Sequence, residues 1–135
     1  NSRAISKGQN HIIAESLENI QLENADICKT DLKDIDFMVS IATLLYLNNK
    51  EIHVILQKLL SSDIKFFVMF EPLSEGDTFI GAYNNYHSLD TFDILKNEFT
   101  PYELKFKNSG WDNITGVTSK AIIWSSKKIK FELEL

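Results

Sequence analysis

The sequence predicts an α/β fold of three layers, with a mostly parallel sheet between helices. Two observations carry that reading. Phe37-Met38-Val39-Ser40-Ile41 and Ile64-Lys65-Phe66-Phe67-Val68-Met69-Phe70 are nearly continuous apolar runs of strand length, as strands covered on both faces of a parallel sheet should be. A helical pattern separates them, and strand, helix, strand in that order is a right-handed parallel crossover. A third observation sets the end of the chain apart. Tyr102, Leu104 and Phe106 alternate with charged residues, and Ala121-Ile122-Ile123-Trp124 follows as a last buried strand.

Taken in order, Ser2 to about Leu17 predicts a helix with Ile5, Ile12, Ile13 and Leu17 on one face. Gly8 near that face permits close approach to a sheet. Ile20 to Asn24 alternates as a strand, and Cys28 to Asp34 is a polar surface loop. After the Phe37–Ile41 strand and an apolar turn, Asn48 with Glu51 three residues on is a capping-box pattern. Ile52, Ile55, Leu56, Leu59 and Leu60 then form a buried stripe. Ser61-Ser62-Asp63 closes that helix. Leu73 to His87 reads as a long loop, a length that marks functional segments. Ser88 caps a helix with Phe92, Leu95 and Phe99 on its inner face. Ile129, Phe131, Leu133 and Leu135 alternate once more, extending the last strand or forming an extra edge.

With 135 residues the chain has the size of one domain, and its 44% hydrophobic content suits a packed core. No apolar run approaches the ~20 residues that span a bilayer, so no membrane partner is expected. The net charge of -5, without an arginine cluster, disfavours a nucleic-acid backbone. Lys127-Lys128-Ile129-Lys130 is read as a solvated strand end. A single cysteine, Cys28, fits a reducing cytoplasm. The three histidines and one cysteine lack metal-ligand spacing, and no metal is expected.

Asn19 to Ile27, Asp36 to Leu47 and Ile64 to Pro72, in that order and spacing, resemble the middle and end of a class I S-adenosylmethionine-dependent methyltransferase. The terminal pair of strands resembles that family's C-terminal antiparallel hairpin. The resemblance covers essentially the whole chain and implies a Rossmann-like methyltransferase sheet, here without its first strands. One departure is Ser61-Ser62-Asp63-Ile64, where many relatives carry a proline-glycine-glycine turn. A larger one is the glycine-rich first loop. Gly8, Gly76, Gly81, Gly110 and Gly116 include no Gly-x-Gly between a strand and a helix. The chain is therefore expected to be the later portion of a methyltransferase domain, with the loop and a ribose-binding acid upstream of Asn1.

The resemblance implies S-adenosylmethionine as cofactor and a small-molecule acceptor methylated on oxygen or nitrogen. It places Asp26 on the adenine amino group, Ile27 on the adenine face, and Ser40, Ile41 and Ala42 beside the methionine portion. Glu71, after a buried strand, and His87 are the candidate catalytic residues. Tyr46, Tyr83 and Tyr86 are the candidate acceptor contacts. Each has a plainer reading: a loop acid for Asp26, a turn acid before Pro72 for Glu71, a helix-start residue for His87. A non-catalytic α/β binding module and another Rossmann-like nucleotide-dependent enzyme are the competing functions. Homodimerisation is left open.

Overall fold

The computed structural model describes residues 2–74, 78–80, 84–104 and 117–130. The chain forms two compact units, 1–31 and 32–135. In the first, α1 (Ser2–Ala14) ends three residues before the Leu17 expected from its periodicity. The cause is a Schellman closure. Ser16 takes a left-handed φ of 52°, the Leu17 N–H reaches the Ile12 carbonyl at 3.0 Å, and the Ser16 N–H reaches that of Ile13 at 3.2 Å. The strand expected at Ile20 to Asn24 is absent: these residues run as irregular chain outside either sheet. Alternation makes a strand only where a ladder partner exists, and none of the described strands supplies one. Gly8 faces the Leu22 side chain of this irregular segment rather than a sheet, and a β-carbon there would collide with it.

The second unit opens with β1 (Phe37–Ile41), a three-residue 3-10 turn, η1 (Leu44–Tyr46), and α2 (Asn49–Ser61). Asn48 caps α2 as its sequence promised: its side chain accepts the Lys50 and Glu51 N–H groups at 2.9 and 3.1 Å, and Glu51 accepts the Asn48 N–H at 2.8 Å. Ile52, Ile55, Leu56 and Leu59 are buried, each worth about 1.5–3 kcal/mol of burial. β2 (Phe66–Ser74) follows and is longer than expected. The segment read as a long loop holds a small antiparallel hairpin, β3 (Thr78–Ile80) with β4 (Asn84–Tyr86).

Next comes η2 (Leu89–Asn97), a 3-10 helix whose start is capped by Ser88 Oγ accepting the Asp90 N–H at 3.3 Å. Leu89, Phe92 and Leu95 recur every third residue, which stacks them on one line of a 3.0-residue helix. Phe92 and Leu95 are fully buried. Phe99, assigned to that helix by its sequence, instead begins β5 (Phe99–Leu104). β6 (Val117–Ser126) completes the sheet, and the chain leaves it at Lys127. Phe106, Phe131, Leu133 and Leu135 lie outside the described residues.

The sheet order is β1-β2-β6-β5. β1 and β2 are parallel, Phe37 opposite Phe66 through Ile41 opposite Phe70, and β6 runs antiparallel to both β2 and β5. Pro101 lacks an N–H and is tolerated because β5 is an edge strand. One face is packed: Phe67, Met69, Glu71 and Leu73 alternate as buried residues of β2, with Ile122 and Trp124 beside them. The other face is open. Phe37, Val39 and Ile41 are 54%, 53% and 62% exposed, and their register partners Phe66, Val68 and Phe70 are half-buried. The expectation that β1 is covered on both sides is thus corrected. An apolar run records only that both faces are apolar; whether a layer covers each is decided by the rest of the chain.

Candidate functional site

The site lies where β1 ends beside β2, which runs on to Ser74. The Ala42 N–H still extends the ladder by donating to the Phe70 carbonyl at 2.9 Å, but Ala42 adopts a left-handed φ of 46°. A non-glycine residue there costs roughly 1–2 kcal/mol, and the bend throws the chain off the strand into η1. Glu71 receives it. Its Oε1 accepts the Ser40 hydroxyl at 2.5 Å, the Thr43 N–H at 3.0 Å and the Leu44 N–H at 3.3 Å. These amides are the first donors of a helical turn and have no carbonyl of their own to reach.

His87 holds the other side of the turn. Its Nε2 lies 3.2 Å from the Leu44 carbonyl and 3.1 Å from the Leu47 carbonyl. Both neighbours are acceptors, so Nε2 carries the proton and donates. The imidazole is placed by the sheet: the Ser74 N–H donates to the His87 carbonyl at 3.1 Å and Ser74 Oγ donates to the Tyr86 carbonyl at 2.8 Å. Tyr86 packs against Leu45, with Ala42 alongside. Glu71 and His87 are 1% and 2% exposed, and among the described residues Glu71 Oε2 and His87 Nδ1 are buried without a hydrogen-bond partner.

Seven of the ten residues singled out from sequence therefore meet in one unit around η1: Ser40, Ile41, Ala42, Tyr46, Glu71, Tyr86 and His87. Their accessibility differs sharply. Ile41 and Tyr46 are 62% and 61% exposed, while Ser40, Glu71, Tyr86 and His87 are buried. Tyr83 lies outside the described residues. Asp26 and Ile27 belong to unit 1–31. There Asp26 Oδ1 accepts the Cys28 N–H at 3.0 Å and Oδ2 lies 3.4 Å from Lys29 Nζ, so this carboxylate caps a turn. Ile27 is half-buried.

As a seat for S-adenosylmethionine these residues fit in part. Ile41 offers an open apolar surface at the strand end, and Ala42 has only a methyl group to accommodate. The Ser40 hydroxyl is committed to Glu71. Sequence reasoning missed Thr43 and Leu44, which contribute main-chain atoms and so leave no residue-type signal. Among the described residues, no group of three or more His, Cys, Asp or Glu is arranged to hold a metal ion. Nor is any helix long and apolar enough to cross a membrane. A separate groove of about 290 Å³ lies between η2 and the β5–β6 ladder, lined by Pro101, Ile122 and Trp124 with Asp93, Lys96 and Glu103. None of the residues singled out from sequence lines it.

A parallel β1–β2 pair joined by a helix and followed by an antiparallel β5–β6 end belongs to the methyltransferase-like, Rossmann-like class of α/β folds. Two solved structures show that likeness. The PH0226 protein from Pyrococcus horikoshii OT3 superposes with a TM-score of 0.67 at 14% identity, over 94% of this chain and 68% of that one. The methyltransferase domain of bacterial CtHen1-CN superposes with a TM-score of 0.63 at 10% identity, over 93% of this chain and 74% of that one. At such identity the likeness establishes the fold. No protein-family model matches the chain, and no curated protein matches it in sequence.

Proposed function

We propose that the chain serves S-adenosylmethionine-dependent methyl transfer to the oxygen or nitrogen of a small-molecule acceptor. The observation that carries it is the conjunction of a methyltransferase-like sheet with a built, strained turn at the carboxyl end of β1, beside β2. Open α/β sheets bind ligands at that edge. The antiparallel pairing of β5 with β6 favours this class over a dinucleotide-binding domain.

The cofactor, when bound, supplies a methyl group on a sulfonium, and little covalent help is then required from the protein. Holding the acceptor in line is the main task. In this reading Ile41 and Ala42 border the methionine portion, and Asp26, whose oxygens meet the Cys28 N–H and Lys29 Nζ, is the acid assigned to the adenine amino group. Tyr46, Tyr83 and Tyr86 serve the acceptor. Glu71 Oε2 and His87 Nδ1 are the atoms left to accept an acceptor proton. The net charge of -5 supports a small acceptor over a nucleic acid.

Calorimetric titration of the complete protein with S-adenosylmethionine and with S-adenosylhomocysteine tests this. Binding is expected, and Asp26→Ala should weaken it about ten- to a hundredfold, the worth of one hydrogen bond to a charged group. A complete, folded protein that binds neither compound sinks the reading. The burial of Glu71 and His87 favours one other: a binding module that keeps the sheet without the chemistry.

A further inference from the structure

The η1 turn is held from both ends by buried titratable side chains. Glu71 Oε1 takes the N–H groups of Thr43 and Leu44, and His87 Nε2–H is shared by the carbonyls of Leu44 and Leu47. Leu44 is bound on both sides, N–H to one residue and C=O to the other. Placing a carboxyl and an imidazole at 1% and 2% exposure, each with one polar atom unpaired among the described residues, is costly. What the arrangement secures is the orientation of a three-residue turn. Leu44 and Leu45 point inward at 3% and 2% exposure, and the next side chain, Tyr46, is thereby turned out to 61%.

We propose that Glu71 and His87, through Oε1 and Nε2 and apart from the proton-accepting role given to their other atoms above, are positioning residues, and that what they position is the Tyr46 ring, as the contact for a flat, π-bearing group. A ring face held outward on a rigid turn stacks on such a group with little loss of entropy on binding. The proposal rests on the methyl-transfer reading only where that group is taken to be part of the methyl acceptor. Clamp and ring contact stand on the geometry alone.

The test uses the chain with 13C-labelled tyrosine, the Tyr46 signals assigned by Tyr46→Phe. Phenol and adenine are the flat probes; cyclohexanol, of similar size without a π face, is the control. Phenol and adenine should shift the Tyr46 ring signals and cyclohexanol should not. Tyr46→Leu should abolish the phenol and adenine binding detected on neighbouring methyl groups. His87→Ala should weaken phenol binding about fivefold or more and speed hydrogen exchange at the Tyr46 and Leu47 amides. His87→Gln, whose side-chain amide can donate to the same two carbonyls, should stay within about twofold of the parent on both readouts. Equal binding of cyclohexanol overturns the ring contact. A His87→Gln protein as impaired as His87→Ala overturns the clamp, as does unchanged phenol binding in His87→Ala. Should His87→Ala not fold, the Gln and Leu variants decide. Failure of the complete protein to bind S-adenosylhomocysteine would remove the methyl-transfer reading and leave these probe results standing.

Discussion

Ser40 Oγ donates to Glu71 Oε1 at 2.5 Å across the parallel β1–β2 pair, joining residues 31 apart in sequence. That oxygen also accepts two main-chain amides of the turn that follows β1. One buried carboxyl oxygen therefore ties two strands and a turn together, and several consequences are measurable.

Removing it should be expensive. Glu71→Ala leaves the Ser40 hydroxyl and the Thr43 and Leu44 amides facing a cavity, and unsatisfied buried groups cost about 1–3 kcal/mol each. A total loss of about 3 kcal/mol is expected, reduced by partial collapse and entry of water. Glu71→Gln keeps a carbonyl oxygen at the same reach and should lose about half as much. Urea unfolding of the three proteins checks this, and equal stabilities would refute the assignment.

Ala42 should respond the opposite way. At a φ of 46°, glycine relieves the clash of the β-carbon but adds freedom to the unfolded chain. Ala42→Gly is expected to raise stability by about 0.5 kcal/mol and Ala42→Val to lower it by more than about 1 kcal/mol. A glycine variant less stable than the parent would show that this backbone is not strained.

The start of α2 offers a local control. Asn48→Ala removes the acceptor for the Lys50 and Glu51 amides and should cost about 1 kcal/mol. Loss of that size should appear in the unfolding midpoint with the denaturant slope unchanged. A neutral substitution would mean that water replaces the cap.

The two faces of the sheet should differ by several-fold. Met69 is fully buried, and its sulfur accepts the Trp124 indole N–H at 3.2 Å. Met69→Ala should cost about 3 kcal/mol through its cavity and the orphaned indole. Val39→Ala, on the open face, should cost less than about 1 kcal/mol. Comparable losses at both positions, measured by chemical denaturation, would mean that the open face is covered in solution.

Much of this was legible in the chain itself because the signals are local. Asn48 and Glu51 specify a cap through atoms three residues apart, the Ile52–Leu59 stripe follows from 3.6-residue periodicity, and two apolar runs marked β1 and β2. The helix after Ser88, with Phe92 and Leu95 inward, was legible too, although only the backbone shows that it is 3-10 and that Phe99 leaves it.

Other features required the tertiary structure. Ile20 to Asn24 alternates like a strand, yet strand formation depends on a partner that a local pattern cannot name. Phe37, Val39 and Ile41 are as apolar as core residues; the strand order makes β1 an edge among the described strands, and only the exposure of these side chains reveals that one face is open. Glu71 and His87 could be picked out as candidates by type and place. Their joint hold on Leu44 could not, because the groups they bind are main-chain amides and carbonyls, which every residue carries and which become particular only when the fold sets them within 3.3 Å of a side chain.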